Sequence, residues 1–271
     1  MPLVSVLLAT HNDARFLAEA VDSVLAQSVR DLELIVVDDA SDNAVGAFDD
    51  ARVIVLRNET RLGLAASLNR ALDRATGKYV ARLDADDVAR ADRIERQIAR
   101  IETEPRVVVV GSAVVDLDEN GKRGRTHVMP AGAQQLRWLA LFSSPFFHPT
   151  VLVDREALET FGLRYDSDFL ESEDYDLWAR LFAFADGDNL REPLVLKRVH
   201  AGQASRQRRD VQDSFRRRVA RREIASVAPD VDAEAVLGGS RMELFLLLRA
   251  FERRYGVSWQ VRKAALRGLL G

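Results

Sequence analysis

Hydrophobic positions in the first hundred residues follow two alternating rhythms. Aliphatic and β-branched runs at 4–9, 32–37, 53–56 and 79–83 read as strands, continuous enough to be buried on both faces. Between them the spacing becomes helical. Phe16, Leu17, Ala20, Val21, Val24 and Leu25 share one face of a helix for which Asn12 and Asp13 are candidate N-caps. Leu64, Leu68, Ala71, Leu72 and Ala75 share a face of a second helix, which follows Gly63 and stops at Gly77. Strand, helix, strand in repetition implies right-handed crossovers and a mostly parallel sheet, so the fold class is α/β.

Further along, the spacing predicts a helix over 94–101, a strand region over 107–117, a tight turn at Asn120-Gly121 and a return over 123–128. Residues 132–142, 154–161 and 173–185 read as helices, with short strands at 151–153 and 194–199 and antiparallel pieces among them. Beyond about Ser205 the chain turns to Arg-rich helical segments, broken near Pro229 and at Gly238-Gly239. The expected division is a body over 1–205 and a basic helical C-terminal extension over 206–271.

Charge and composition narrow the classes. Across 271 residues, 39 Lys and Arg oppose 42 Asp and Glu for a formal charge of −3, which gives no reason to expect nucleic acid as a partner. The absence of cysteine excludes disulfides, a thiolate nucleophile and Cys-ligated zinc, and fits a reducing compartment. The chain opens directly into a strand, with no basic leader before an apolar segment, and no apolar run reaches ~18 residues. A soluble, cytoplasmic protein is expected. Charge is uneven, however: residues 206–223 hold eight Arg against three acids, and 241–271 hold seven basic residues against two acids. With Leu244, Leu248, Phe251, Trp259, Leu266, Leu269 and Leu270 on apolar faces, these helices fit either packing on the body or peripheral contact with the inner face of a membrane.

In an open parallel sheet, ligands sit beyond the carboxyl ends of the strands, and three such ends are polar: Ala9-Thr10-His11-Asn12, Asp38-Asp39-Ala40-Ser41 and Asp84-Ala85-Asp86-Asp87. Helix capping explains any one of them. Several carboxylates on one edge repel unless a cation or a hydrogen-bonding ligand offsets them. Asp84, Asp86 and Asp87 suit a hard divalent cation, Mn²⁺ or Mg²⁺, with positions left for phosphate oxygens. No Gly-x-Gly-x-x-Gly follows the first strand and no Walker A pattern is present, which argues against dinucleotide dehydrogenases and P-loop NTPases. Downstream, Glu173, Asp174 and Asp176 open a helix, where acids also serve the helix dipole. His148 lies beside aromatic residues and His200 follows Arg198; either is a packing element or a ligand, and His127 carries no comparable signal.

In order along the chain, these motifs resemble the family 2 inverting glycosyltransferases of the GT-A fold, transferases of nucleotide-diphospho-sugars. The resemblance rests on Val4-Ser5-Val6-Leu7-Leu8-Ala9-Thr10-His11-Asn12, Leu34-Ile35-Val36-Val37-Asp38-Asp39-Ala40-Ser41, Asn69 with Ala71 before Gly77-Lys78-Tyr79, and Leu83-Asp84-Ala85-Asp86-Asp87. It continues through His148-Pro149, Glu173-Asp174-Tyr175-Asp176-Leu177-Trp178 and Arg198-Val199-His200, covering roughly residues 3–205. It implies a GT-A-type nucleotide-binding α/β sandwich with a mixed, mainly parallel central sheet, its nucleotide-binding half at 1–105 and its acceptor and catalytic half at 106–205. It implies nucleotide contacts at Ala9, Thr10, His11, Asp39, Asp84 and Ala85, metal ligation by Asp86 and His200, and Asp174 as catalytic base. Asp87, His148, Glu173 and Trp178 become candidate substrate contacts. The implied activity is metal-dependent, inverting transfer of a hexosyl or N-acetylhexosaminyl group from a UDP-sugar to a hydroxyl of a glycan or lipid-linked acceptor, in cell-surface polysaccharide biosynthesis.

Two positions depart from the family pattern: His11 stands where an aromatic such as Tyr stacks on the base, and Ala40 where Gly follows the Asp pair. Two other readings compete. A nucleotide-sugar-binding scaffold with a decayed site is opposed by the intact Asp84, Asp86 and Asp174. A sugar-nucleotide pyrophosphorylase requires a Gly-rich, Arg-bearing loop after the first strand, which is absent.

Overall fold

Val4–Thr10 (β1) and Leu32–Asp38 (β2) pair in parallel along their whole length, and the near-complete burial of both is what their unbroken apolar runs require. The structure, a computed structural model, describes residues 1–12, 15–169, 171–200 and 209–270. Val53–Arg57 (β3) pairs with β2, and Tyr79–Arg82 (β4) with β1, both in parallel. Leu17–Leu25 (α1) and Leu64–Arg74 (α2) lie between these strands in sequence. Gly77, after α2, is held close to β1: an added Cβ would stand 2.5 Å from the Ser5 nitrogen and 2.7 Å from the Val4 carbonyl carbon.

Val88–Ala89 (β5), Arg93–Ile101 (α3), Val107–Leu117 (β6) and Arg123–His127 (β7) follow. Next come Ala133–Leu139 (α4), a 3₁₀ turn at His148–Thr150, Leu152–Asp154 (β8), Arg155–Thr160 (α5), Glu173–Leu181 (α6) and Asp186–Arg198 (β9). The sheet runs β3-β2-β1-β4-β8-β6-β9-β5, with β7 against β6. Its β3-β2-β1-β4 half is parallel, β8 is antiparallel to both neighbours, and β6 and β9 are parallel to each other. Hydrophobic clusters cover both faces, one including α1 and α3, the other α2, α5 and α6. This is the mixed α/β sandwich expected.

Three local expectations need correction. Asn12 does not cap α1, which begins five residues later at Leu17; instead Asn12 adopts φ 54° and exchanges hydrogen bonds with Ser41 and Asp42. Asp13 lies outside the described residues. The second helix ends at Arg74, with Ala75 already extended, rather than at Gly77. Finally, the strand expected at 194–199 begins at Asp186. Its first residues, Asp186-Gly187-Asp188-Asn189, are polar, but Arg106 and Arg137 pair with Asp186 and Arg100 with Asp188, so the carboxylates enter the sheet compensated.

The extension forms Arg209–Val227 (α7), Ala233–Leu237 (α8), Arg241–Tyr255 (α9) and Trp259–Leu270 (α10); the boundary expected near Ser205 lies outside the described residues. These helices pack onto the body through Ile224, Leu247, Leu248, Phe251 and Val261 against Trp138 and Leu141, with Trp138 edge-on to Phe251 at 5.2 Å. Packing therefore accounts for Leu247, Leu248 and Phe251, whereas Met242, Phe245, Leu246 and Trp259 remain exposed. Among the described residues no helix is long and apolar enough to cross a membrane.

Candidate active site

Register brings the polar strand ends to one edge. Thr10 pairs with Asp38 across β1 and β2, while Leu7 pairs with Arg82 across β1 and β4, so the segments after all three strands meet there. They open onto a cleft of about 580 Å³ lined by Ala9, Thr10, His11, Asp84, Ala85, Asp86, His148 and His200, together with Arg82, Phe147, Pro149, Glu171 and Lys197.

The Asp38-Asp39 pair shapes this edge. Asp38 accepts from the Ser41 and Val45 amides and pairs with Arg57. Asp39 accepts from Asn58 Nδ2 at 2.7 Å and from the Leu62 and Gly63 amides, each at 2.8 Å. These donors outweigh burial and hold the Asp39 carboxyl below its ordinary range. Asp39 thus fixes the loop leading into α2, while its carbonyl oxygen lies 2.7 Å from His11 Nδ1. Thr10 Oγ1 is buried without a protein partner among the described residues.

Asp84, Asp86 and Asp87 present carboxylate oxygens within 4.8 Å of one another. Asp86 Oδ2 stands 3.0 Å from His200 Nε2. Asp87 is only 1% exposed; its Oδ1 accepts from the Arg198 amide at 2.8 Å and its Oδ2 has no hydrogen-bond partner among the described residues. Burial, then the charges of Asp84 and Asp86, push the Asp87 carboxyl well up. Clustered oxygens and an orphaned buried carboxylate oxygen fit a hard divalent cation, which would relieve both. Asp87 joins that cluster from the buried side and is not among the residues that line the cleft. Arg198 braces the whole arrangement: its guanidinium donates to the Asp86 and Asp118 carbonyls, pairs with Glu19 and lies 3.8 Å above the Phe16 ring.

Glu173 and Asp174 on α6 are not among the residues that line the cleft, but the charge of Arg82, which does line it, acts on both. Asp174 Oδ2 accepts from Ser144 Oγ at 2.9 Å; burial raises its carboxyl above the ordinary value, opposed by the Ser144 bond and the Arg82 charge. Glu173 is pushed up to about 8, chiefly by burial and then by the Asp174 charge. His148 Nε2 lies 2.9 Å from Tyr165 Oη, and burial with the nearby Arg82 charge keeps the ring neutral. Trp178, 1% exposed, packs edge-on to Phe146 at 5.8 Å. It faces the core with Leu177 and Leu181, and its Nε1 is buried without a hydrogen-bond partner among the described residues. His127 pairs with Asp116 at 2.9 Å on β6 and β7.

Residues 5–162 match the family described as Glycosyl transferase family 2. The chain belongs to that family. It is 37% identical over 202 residues to the putative glycosyltransferase EpsE of Bacillus subtilis, covering 71% of this chain and 72% of the relative. In fold it is similar to S. aureus TarS 1–349 in complex with UDP-GlcNAc, at TM-score 0.64 and 18% identity over 99% of this chain and 80% of that one. It is likewise similar to the mannosyltransferase PcManGT from Pyrobaculum calidifontis in complex with GDP-Man and Mn²⁺, at TM-score 0.59 and 20% identity over 99% and 80% of the two chains. The fold is GT-A.

Sequence alone assigned no role to Arg82, Ser144 or Tyr165, and placed Arg198 in a motif without a role of its own. Arg82 carried a signal, being a charge inside an otherwise apolar strand. Ser144 and Tyr165 carried none, because loops whose course is set by tertiary packing bring them in.

Proposed function

We propose that this glycosyltransferase moves a hexosyl or N-acetylhexosaminyl group, with inversion, from a UDP-sugar to a hydroxyl of a glycan or lipid-linked acceptor in cell-surface polysaccharide biosynthesis. The observation that carries the reading is a cation-sized carboxylate cluster whose neighbour Arg82, on the cleft wall, also acts electrostatically on Asp174, a carboxylate made more basic by burial. Nucleotide contacts fall to Ala9, Thr10, His11, Asp84 and Ala85 along the cleft, with Asp39 setting the loop beside them.

Asp174 takes the proton of the acceptor hydroxyl as its oxygen attacks the anomeric carbon. The bond from that carbon to the diphosphate breaks on the opposite face, and the nucleoside diphosphate leaves with the electron pair. Burial and the Asp174 charge push the Glu173 carboxyl up to about 8, which favours Asp174 as the proton acceptor. Asp84 and Asp86, with His200 beside Asp86, would hold a Mn²⁺ or Mg²⁺ ion, which when bound supplies positive charge to the leaving diphosphate.

We also place the protein peripherally at the cytoplasmic membrane face. Met242, Phe245, Leu246, Arg249 and Arg253 are exposed at helical spacing along α9, an apolar stripe continued by cations. Flotation with anionic liposomes at low salt tests this; protein left at the bottom of the gradient ends it.

Thermal stability with UDP, GDP, dTDP and CMP, each with Mn²⁺ or EDTA, tests the donor. Stabilisation by UDP that EDTA abolishes is the expected result. Binding without transfer to any glycan acceptor would favour the scaffold, and no response to any nucleotide would overturn the transferase reading of the site.

A further inference from the structure

Three arginines are buried around the acidic edge, and two are fully engaged. Arg93 donates to Gln97 Oε1 and to the Arg82 and Val151 carbonyls, and Arg198 is held by carbonyls and Glu19. Arg82 differs. Only 4% exposed, it lines the cleft and pairs through Nη2 with Asp84, yet its Nε and Nη1 are buried with no hydrogen-bond partner among the described residues. A guanidinium cannot shed its charge to escape such a position, and unsatisfied charged donors are rare in native interiors. Two donors held ready at a cleft wall point to an acceptor that arrives with a ligand.

Position decides which part of the ligand. Arg82 lines the cleft beside Asp84 and Asp86 and pairs with Asp84, and its charge also reaches Tyr165, Glu173 and Asp174. In a single displacement the transferred sugar lies between the leaving diphosphate and the base. Charge balance agrees, because the three carboxylates of Asp84, Asp86 and Asp87 offset a divalent cation and the guanidinium together, so neutral oxygen acceptors satisfy the remaining donors without a further anion. We propose that Arg82 reads the transferred sugar: Nε and Nη1 donate to its hydroxyl oxygens and so determine which nucleotide sugars are accepted. This rests on the donor chemistry proposed above.

The test compares Arg82→Lys with wild type in Mn²⁺, measuring affinity for UDP, UDP-glucose, UDP-N-acetylglucosamine, GDP and GDP-mannose. Lysine keeps the charge opposite Asp84 and removes the two donors. The sugar's contribution, the affinity ratio of each nucleotide sugar to its own nucleoside diphosphate, should fall about ten- to hundredfold for the preferred donor. The affinity for UDP or GDP alone should stay within about threefold. Equal loss for the diphosphate and the nucleotide sugar would assign Arg82 to the diphosphate and overturn the inference. Singly deoxygenated analogues of the preferred donor probe wild type directly, whatever the folding of the variant. At least one should bind about tenfold more weakly, and no loss with any analogue overturns the inference. If wild type binds UDP or GDP and gains nothing from the sugar, this inference alone fails; if it binds no nucleotide, the proposed function fails with it.

Discussion

Ser144 Oγ donates to Asp174 Oδ2 at 2.9 Å, tying the segment before the 3₁₀ turn to the first turn of α6. The bond favours the charged carboxylate while burial disfavours it, and burial prevails. Asp174 is therefore oriented and more basic than a free aspartate. Asp174→Asn should lower kcat by about 10²- to 10⁴-fold, the range for positioned proton transfer, while leaving nucleotide affinity essentially unchanged. Ser144→Ala should move the acid limb of the kcat/KM profile to higher pH, because a donor to the anion is lost. Steady-state rates across pH check both, and an acid limb shifted downward in Ser144→Ala would contradict the assignment.

Glu173 supplies a stability signature. Its carboxyl titrates at about 8 in the fold against an ordinary 4.5, so the native state holds the proton more tightly than the unfolded chain. Stability from this group is full below pH 4.5 and declines as pH rises through about 8. Glu173→Gln should flatten that decline and be the more stable protein at pH 8.5, by on the order of a few kcal/mol. Urea unfolding at pH 5 and 8.5 measures it, and equal pH dependence in both proteins would refute it.

Ala40 shows how a departure in sequence becomes a feature of the backbone. It sits at φ 57°, directly after the Asp38-Asp39 pair, in the left-handed region that glycine occupies without a Cβ penalty. Ala40→Gly removes that strain, partly offset by the greater freedom of glycine in the unfolded chain. The net expectation is stabilisation of up to about 1 kcal/mol. Denaturation midpoints decide, and a less stable variant would mean the alanine methyl group contributes packing that outweighs the strain.

Much of the nucleotide-side architecture was legible because one signal governs it. Buried parallel strands need continuous apolar runs, and the polar residues that end those runs fall on one edge by register alone, as with Thr10 opposite Asp38. Legibility fails where long-range pairing overrides local character. The strand start at Asp186 carries no apolar signal, and the partners that let Asp186 and Asp188 enter the sheet, Arg100, Arg106 and Arg137, are remote in sequence. Trp178 illustrates the same limit: its motif matched the family, but which face of α6 turns inward depends on Phe146 and Tyr165, which only the fold brings near.

Asp86 offers the sharpest separation of functional from structural carboxylates. A carboxylate that merely caps a turn stabilises the protein, and neutralising it costs stability with or without ligand. Asp86 instead adds to the repulsion that pushes the Asp87 carboxyl up, while its Oδ2 lies 3.0 Å from His200 Nε2, a contact that an asparagine oxygen can keep. Asp86→Asn removes a like charge, so the metal-free variant should be as stable as wild type or more so. The same change removes one of the charged oxygens proposed to hold the cation, beside His200. The Mn²⁺-dependent stabilisation by UDP, worth about 2.7 kcal/mol at a hundredfold excess over the dissociation constant, should then be lost. Melting curves with and without UDP and Mn²⁺ give both numbers in one experiment. A variant destabilised in EDTA yet still responsive to UDP with Mn²⁺ would make Asp86 a structural residue and move the cation elsewhere on this edge.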